Sequence, residues 1–164
     1  MKGERGGFRP LRREQLLQER VHDTYKSAHK LNDPTRCPKC GAVFRKGRWT
    51  WGKAPPRAPE HPCPACQRIQ DKFPAGFVTL SGDFLAEHRE EILHLVRHCE
   101  ENEKAEHPLQ RIMAIKETAR GIEVTTTDIH LARNIAERIH NACKGRLSFR
   151  YNKEENLLRA SWRR

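Results

Sequence analysis

Hydrophobic residues recur at helical spacing near the N-terminus of the chain. Leu17, Val21, Tyr25 and Ala28 fall on one side of a helical wheel, and charged residues surround them. Pro10 suits the first turn of such a helix, where its missing N–H would have no partner in any case. The narrow stripe predicts a helix that docks on a neighbouring surface or orders on binding.

Two longer amphipathic helices are predicted in the second half of the chain. The apolar face of the first consists of Leu85, Ile92, Val96 and Cys99. Ser81 or Asp83 is its expected N-cap, and Pro108 ends it. The second helix is capped by Asp128 and ended by Gly145. Its apolar face consists of Ile129, Ala132, Ile135 or Ala136, Ile139 and Ala142.

Alternation with a period of two predicts two hairpins. In the first, Leu109, Met113 and Ile115 lie on one side of a strand, and Ile122, Val124 and Thr126 follow after a turn near Arg120. The last hairpin turns within residues 152–156, and residues 67–81 are expected to be a connector. The order α-β-β-α-β-β predicts an α+β fold, with a small antiparallel sheet and its helices on one face.

The composition divides the chain into three expected parts. Residues 1–34 form a basic N-terminal tail and helix, residues 35–76 a zinc module of the zinc-ribbon or treble-clef type, and residues 77–164 the α+β domain. The middle part holds two cysteine pairs among several Gly and Pro residues and shows no helical period.

The two cysteine pairs carry the strongest chemical signal. Cys37 and Cys40, like Cys63 and Cys66, are separated by two residues, a spacing that allows a tight turn with backbone N–H groups directed at both sulfurs. Gly41 tolerates the positive φ that such a turn often needs. Two pairs at this separation can close a tetrahedron around Zn²⁺. We therefore predict one structural zinc ion with no open position for catalysis.

Other uses of the thiols stay open at this point. Thiol–disulfide exchange would need one pair at a helix N-terminus, which two pairs in Pro-rich loops do not suggest. Structural disulfides would need an oxidising compartment. His61 is an alternative outlying ligand, although a surface position is expected. Cys99 and Cys143 fall on apolar helix faces and are expected to be core residues.

Charge is unevenly distributed along the 164 residues. The chain has 32 Lys and Arg against 21 Asp and Glu, a formal net charge of +11. Residues 1–74 hold 17 basic and 7 acidic residues, residues 75–108 hold 3 and 8, and residues 109–164 hold 12 and 6. Two basic regions around an acidic one indicate a clustered positive potential, which attracts polyanions. We expect the partner to be nucleic acid or a ribonucleoprotein.

Two groups of residues are candidates for contact with nucleic acid. The first lies between the cysteine pairs and comprises Arg45, Lys46, Arg48, Lys53 and, as the candidate for base stacking, Trp49. One of the two tryptophans in this stretch is expected to cover the zinc module instead. The second group shares one face of the last hairpin and comprises Arg146, Arg150, Arg159 and Arg163. Like charges across strands repel, and an anion on this face would relieve that cost.

The sequence shows no sign of catalysis. His94 and His98 have the i, i+4 spacing that metal ligands use, but no Glu follows His94 to complete an HExxH motif. A phosphate-binding Gly-rich loop, a GxSxG motif and a convincing carboxylate pair are also missing. We expect no catalytic residues and no small-molecule substrate.

The chain from the second cysteine pair onward resembles the family of nonsense-mediated decay protein 3, the export adaptor of the large ribosomal subunit. The similarity rests on a CxxC pair at Cys63 and Cys66, a helix, a strand opening at 121–123 and a helix containing residues 130–133. The four cysteines are fewer than the family's set, and we expect no translation-factor-like domain or export signal here. The resemblance implies binding to the large ribosomal subunit.

Together these features predict a zinc-binding, non-enzymatic, cytoplasmic protein that binds rRNA or the large ribosomal subunit, in assembly, quality control or dormancy. A DNA-binding regulator with Arg133, Asn134 and Arg138 outward on a recognition helix is the alternative, and a thiol redox protein is a third. No stretch reaches the ~20 apolar residues of a membrane helix. No hydrophobic run follows the N-terminal basic residues, so we expect no secretory signal.

Overall fold

The computed structural model describes residues 7–15, 25 and 29–164. The strands are β1 (Arg9–Leu11), β2 (Thr35–Arg36), β3 (Val43–Arg45), β4 (Arg48–Thr50), β5 (Gly76–Ser81), β6 (Ile112–Thr118), β7 (Gly121–Thr126), β8 (Arg146–Asn152) and β9 (Leu157–Arg163). The helices are α1 (Pro64–Asp71), α2 (Asp83–Glu87), α3 (Arg89–Glu106) and α4 (Ile129–Cys143). The fold is mixed α+β, as predicted.

The strands form two sheets. A six-stranded sheet has the order β1-β8-β9-β5-β7-β6, and a three-stranded antiparallel sheet has the order β2-β3-β4. In the larger sheet β5 runs parallel to β9, and the other four pairs of neighbouring strands are antiparallel. The prediction of an antiparallel sheet with the order α-β-β-α-β-β is therefore wrong in two respects: β1 and β5 were not expected, and the sheet contains a parallel pair.

Strand β5 lies where a connector was predicted. Val78 and Leu80 point into the core, whereas Phe77 and Thr79 alternate with them on the opposite side. This short run is rich in the β-branched and aromatic residues that strands favour. Because it pairs with β7 on one side and β9 on the other, β5 occupies the interior of the sheet.

Strand β1 corrects the expected start of the N-terminal helix. Pro10 lies opposite Arg150, and Leu11 lies opposite Phe149 and packs against the core. A proline that cannot donate a ladder hydrogen bond is tolerated on an edge strand, which is where β1 lies. Of the predicted stripe, Leu17, Val21 and Ala28 lie outside the described residues.

The first of the two predicted amphipathic helices, called here the acidic helix, is divided at His88 into α2 and α3. Its N-cap is Gly82, with φ +104, rather than Ser81 or Asp83. A Cβ at Gly82 would lie 2.1 Å from the Arg164 carbonyl oxygen, so a glycine is required by both space and φ. The expected cap of α4 is confirmed, because the Asp128 carboxylate accepts from two backbone N–H groups of the first turn.

The main core lies between the larger sheet and the helices. Helix α4 contacts β5, β7, β8 and β9, and α3 packs against α4. All four residues predicted for the apolar face of the acidic helix are buried: Leu85, Ile92, Val96 and Cys99. On α4, Ala142 is exposed and Cys143 is buried instead. Every helix within the described residues is too short or too polar to span a bilayer.

The side of the larger sheet away from α4 is called here the outer face. In the last hairpin the register pairs Arg146 with Arg163, Ser148 with Ser161 and Arg150 with Arg159, and all six are exposed. Their neighbours in the chain, among them Phe149 and Trp162, are buried in the core. The predicted alternation of this hairpin is confirmed.

Replacement of Ile135 by Ala tests the position of the core. Ile135 on α4 is fully buried, so its removal leaves a cavity and is expected to lower the free energy of unfolding by about 2–5 kcal/mol. The matched control is Ile69→Ala on α1, where the side chain is 42% exposed. Denaturant unfolding of both variants measures the difference, and equal losses would contradict this packing.

Candidate metal centre

The first cysteine pair lies in a tight turn between β2 and β3. The Gly41 N–H donates to the Cys37 carbonyl oxygen at 3.0 Å, and the Cys37 N–H donates to the Ala42 carbonyl at 2.8 Å. Gly41 has φ +80, the left-handed conformation expected of the glycine after such a pair. The turn places the side chains of Cys37 and Cys40 on the same side.

The second cysteine pair opens helix α1. Cys63 is the N-cap, Pro64 occupies the first turn, and the Cys63 sulfur accepts from the Cys66 N–H at 3.4 Å. The Cys63 N–H in turn donates to the Cys37 sulfur at 3.3 Å, which joins the two pairs. This pair was expected in a Pro-rich loop, and that expectation is wrong because a proline at the first helical position begins a helix.

The four cysteine sulfurs form one group, called here the cysteine cluster. They lie within 4.8 Å of one another, and the Cys40 and Cys63 sulfurs are 3.8 Å apart. Zn–S bonds of about 2.3 Å in a tetrahedron imply sulfurs about 3.8 Å apart. The cluster could therefore hold one metal ion, and among the described residues no other group of three or more potential ligands comes together.

Burial and backbone hydrogen bonds act on these thiols in opposite directions. For Cys63 and Cys66, burial is the largest influence and raises the pKa. Burial also raises the pKa of Cys37, but the N–H groups of Cys63, Cys40 and Lys39 outweigh it and lower that pKa to about 7. A cation that binds all four sulfurs displaces the protons that burial retains there.

Arg111 contacts three of the four sulfurs. Its guanidinium donates to Cys40 Sγ at 3.0 Å, to Cys66 Sγ at 3.3 Å and to Cys63 Sγ at 3.6 Å. The side chain is 7% exposed. Burial alone would lower the pKa of Arg111, but the hydrogen bonds to Cys66 and Cys40 raise it above its usual value. A permanent cation thus lies against the cluster.

The position of Arg111 is fixed by the larger sheet. Its Nε donates to the Pro108 carbonyl at 2.7 Å, and its backbone N–H donates to Thr127 Oγ1 at 2.9 Å, just beyond the end of β7. Four thiolates around a divalent cation leave a net negative charge, which a buried guanidinium partly balances. The centre therefore lies at the junction of the zinc module and the larger sheet.

The basic residues close to the cysteines in the sequence form their hydrogen bonds away from the sulfurs. Lys39 donates to the Gln70 side chain, Arg45 donates to the Lys53 carbonyl at 2.7 Å, and buried Arg68 donates to the Phe73 carbonyl at 3.1 Å. The residue that contacts the sulfurs, Arg111, is 45 residues from Cys66 in the sequence and lies between Gln110 and Ile112. No local motif marks it, which is why sequence reasoning missed it.

The zinc-module candidates for nucleic-acid contact lie on and after the β3–β4 hairpin. Arg45, Lys46, Arg48 and Lys53 are exposed. Trp49, the candidate for base stacking, is half-buried against the cysteine cluster and lies edge-on to Phe44 with ring centroids 5.6 Å apart. Within the described part of the chain, no hydrogen bond, ion pair or ring contact joins this group to the arginines of the last hairpin.

The second tryptophan, Trp51, is the more exposed of the two. It is 39% exposed, yet its indole N–H donates to the Lys104 carbonyl at 2.6 Å and its ring lies 5.8 Å from the Arg111 guanidinium. Trp49 instead lines a groove of about 700 Å³ together with Arg48, Phe44 and Leu109. Both tryptophans thus contact residues around the metal centre.

The remaining cysteines and the predicted histidines do not join the cluster. Cys99 and Cys143 are buried in the main core, as expected. His61 hydrogen-bonds through Nδ1 to the Pro62 carbonyl and is not part of the sulfur group. The His94 and His98 rings lie parallel with centroids 6.2 Å apart on α3, without a third ligand in the described residues.

Comparison with known proteins identifies no relative. No family model matches the chain, and no curated protein or solved structure matches it. The resemblance to the family of nonsense-mediated decay protein 3 stays a prediction.

Zinc content tests the ligand set directly. The purified chain is expected to retain one zinc ion per molecule under reducing conditions, measured by native mass spectrometry after a chelator challenge. Cys40→Ser removes one of four ligands and should lose the ion, whereas Cys99→Ala changes a core thiol and should keep it. Retention in the first variant or loss in the second would contradict the assignment.

Replacement of Arg111 by Met tests the guanidinium contact. The change keeps the length of the side chain but leaves the cluster charge without its nearest cation, so zinc affinity should fall by about 10–100-fold. Arg45→Met is the control, because Arg45 is exposed and does not contact a sulfur. Competition with a chromogenic chelator measures both affinities, and equal values would rule out this role.

Proposed function

We propose that this chain is a zinc-binding, non-enzymatic protein that binds rRNA on the large ribosomal subunit. The observation that supports it best is the outer face of the last hairpin. There Arg146, Arg150, Arg159 and Arg163 are exposed, and no carboxylate of the described residues forms an ion pair with them.

Arginines elsewhere in the chain contrast with these four. Arg13 pairs with Glu137, Arg36 with Glu60, and Arg89 with both Glu90 and Glu117. Among the described residues, these ion pairs lie on other surfaces, and none of them involves the four arginines of the hairpin. Repulsion between facing arginines is a cost that a bound polyanion removes, and guanidinium groups bind phosphate through two parallel hydrogen bonds.

The arginines of the last hairpin and the acids of α3 lie on opposite sides of the larger sheet, which supports an RNA contact through one side only. Arg146 and Arg163 lie at one end of the hairpin, and Arg150 and Arg159 lie four residues along the strands, about 13 Å away. The exposed acids of α3 belong to the helical layer, on the other side of the sheet. A polyanion over the last hairpin thus meets positive charge, while the acids of α3 face away from it.

A DNA-binding regulator that uses α4 as a recognition helix is less well supported. Arg133 donates to the backbone carbonyl of Gln15 at 2.7 Å and to that of Arg13, and its guanidinium lies 5.5 Å from the Phe149 ring. Glu137 pairs with Arg13 on the same side of the helix. The segment before residue 16 therefore occupies the helix surface that would have to enter a major groove.

A thiol redox function has one feature in its favour and one against it. Cys63 caps α1, which is the position that redox cysteines use. All four sulfurs nevertheless converge, and a buried arginine donates to three of them, which is the environment of a metal site. A single structural zinc ion accounts for both cysteine pairs.

The proposal extends to partner and location. The resemblance to the family of nonsense-mediated decay protein 3 implies the large ribosomal subunit as the partner. A cytoplasmic location and a role in assembly, quality control or dormancy complete the proposal. Neither a membrane nor a small-molecule substrate is part of the proposal. The zinc module would supply exposed Arg45, Arg48 and Lys53 as a second, smaller contact.

Sedimentation of cell lysates through sucrose tests the ribosomal partner. The tagged chain is expected to migrate with the large subunit at low salt and to dissociate at high salt, because counterion release weakens phosphate contacts. A chain that stays at the top of the gradient even at low salt would refute the proposal.

Paired arginine variants test which surface binds. Arg146→Gln with Arg163→Gln should weaken binding to purified rRNA and reduce the slope of log K against log salt by about 1.4, the value for two phosphate contacts to unpaired RNA. The control is the double variant Arg36→Gln with Arg89→Gln. It also removes two positive charges, but from arginines that form ion pairs. Equal effects in the two double variants would show that net charge, not the hairpin, determines binding.

A further inference from the structure

An aromatic ring lies in the middle of the outer face. Phe77 on β5 is half-buried, and its ladder partners are Arg159 on β9 and Thr125 on β7. The residues that share its side of β5 are Thr79 and Ser81, both polar. The core lies on the opposite side of the sheet. Packing in the core therefore does not explain an apolar ring at this position.

Arg159 connects this ring to the charged part of the face. Its guanidinium carbon lies 4.3 Å from the centroid of Phe77 and 5.0 Å from that of Phe8. Both distances are within the range of cation–π contacts. Phe8, just before β1, thus already lies against this guanidinium, so a nucleobase that stacks on Arg159 takes the place of the Phe8 ring. Nucleobases make the same contact, because they stack on aromatic rings and on arginine planes.

Neighbouring side chains offer a cation and hydroxyl groups for the phosphate and sugar of a nucleotide. Arg150 lies directly opposite Arg159 in the ladder, so a second guanidinium is adjacent to the stacked one. Ser148 and Ser161 form the next pair along the strands and offer hydroxyl groups that donate or accept. The row that contains Phe77, Arg159 and Arg150 therefore combines an apolar plane with two cations.

This combination distinguishes unpaired from paired nucleotides. In a duplex each base face is covered by its neighbours, and protein contacts go to phosphates, 2′-hydroxyls and groove edges. A ring and a guanidinium that offer a flat surface contribute little there. On an unpaired nucleotide, the same surface adds about 1–3 kcal/mol of stacking per base, which corresponds to about 5–150-fold in affinity.

We infer that Phe77 and Arg159 form a stacking platform for an unpaired nucleotide of RNA, with Arg150 binding the adjacent phosphate. This inference rests on the proposed RNA-binding function and assigns its contact to single-stranded segments of folded RNA. Phe77 is outside both groups of residues that the sequence suggested for nucleic-acid contact.

The test uses the full-length, zinc-loaded chain and a single-stranded RNA that carries one 2-aminopurine, with the corresponding duplex as a second probe. Phe77→Leu keeps an apolar side chain but removes the ring, and Arg159→Lys keeps the charge but removes the plane. Each should weaken binding of the single strand by about 5–150-fold and reduce the fluorescence change on binding. Duplex binding should change by less than about twofold in both variants.

The matched control is Arg89→Lys. Arg89 lies on α3, on the helical side of the sheet, and pairs with Glu90 and Glu117; among the described residues no aromatic ring contacts it. It should change single-strand binding by less than about twofold, because it lies away from the outer face and the variant keeps the charge. The salt dependence should stay the same in Arg159→Lys and Arg89→Lys, because both retain the positive charge.

The outcomes separate this inference from the function on which it rests. If wild type binds RNA and both Phe77→Leu and Arg159→Lys bind single strands normally, the platform is wrong while the RNA-binding proposal stands. If wild type binds no RNA, both fail. Should Phe77→Leu fail to fold, as judged by circular dichroism and zinc content, the exposed Arg159→Lys decides the question by itself.

Discussion

The contact between Arg111 and the cysteine sulfurs joins the two parts of this molecule. The guanidinium donates to Cys40, Cys63 and Cys66, while hydrogen bonds to Pro108 and Thr127 hold the residue at the end of the larger sheet. A buried cation without anionic partners would be costly, and so would a buried cluster of thiolates without cations. Each side of this junction therefore depends on the other.

That junction also leads directly to the strands that form the outer face. Helix α1 begins at the cysteine cluster and leads into β5, and β5 pairs directly with β9 of the last hairpin. The helices cover one side of the sheet, so the polar residues of β5, β8 and β9 are left on the other. A metal ion bound by the cysteine cluster would act structurally, because its ligands and the Arg111 guanidinium would hold together segments that have little core of their own.

The separation of charge follows from the same layers. Acidic side chains on α3 belong to the helical side, and the arginines of the hairpin belong to the outer face. A sheet with one covered side can expose a flat array of side chains at the spacing of its ladder, which suits a repeating polyanion better than a single small ligand. Phe77 adds an apolar plane to that array, and Arg159 bridges it to the cations.

The sequence by itself determined the features that depend on local spacing. The cysteine pairs, the positive φ of Gly41, the cap at Asp128 and the alternation of the last hairpin each involve residues close together in the chain, and the structure has them as predicted. Zinc as the bound ion and RNA as the partner stay predictions. Only the tertiary structure decided the place of Arg111, which is 45 residues from Cys66 and 71 from Cys40. It also decided the parallel pairing of β5 with β9, the strand at Arg9–Leu11 and the position of Phe77. These depend on which distant segments become neighbours, and periodicity along one segment carries no information about the partner that it will meet.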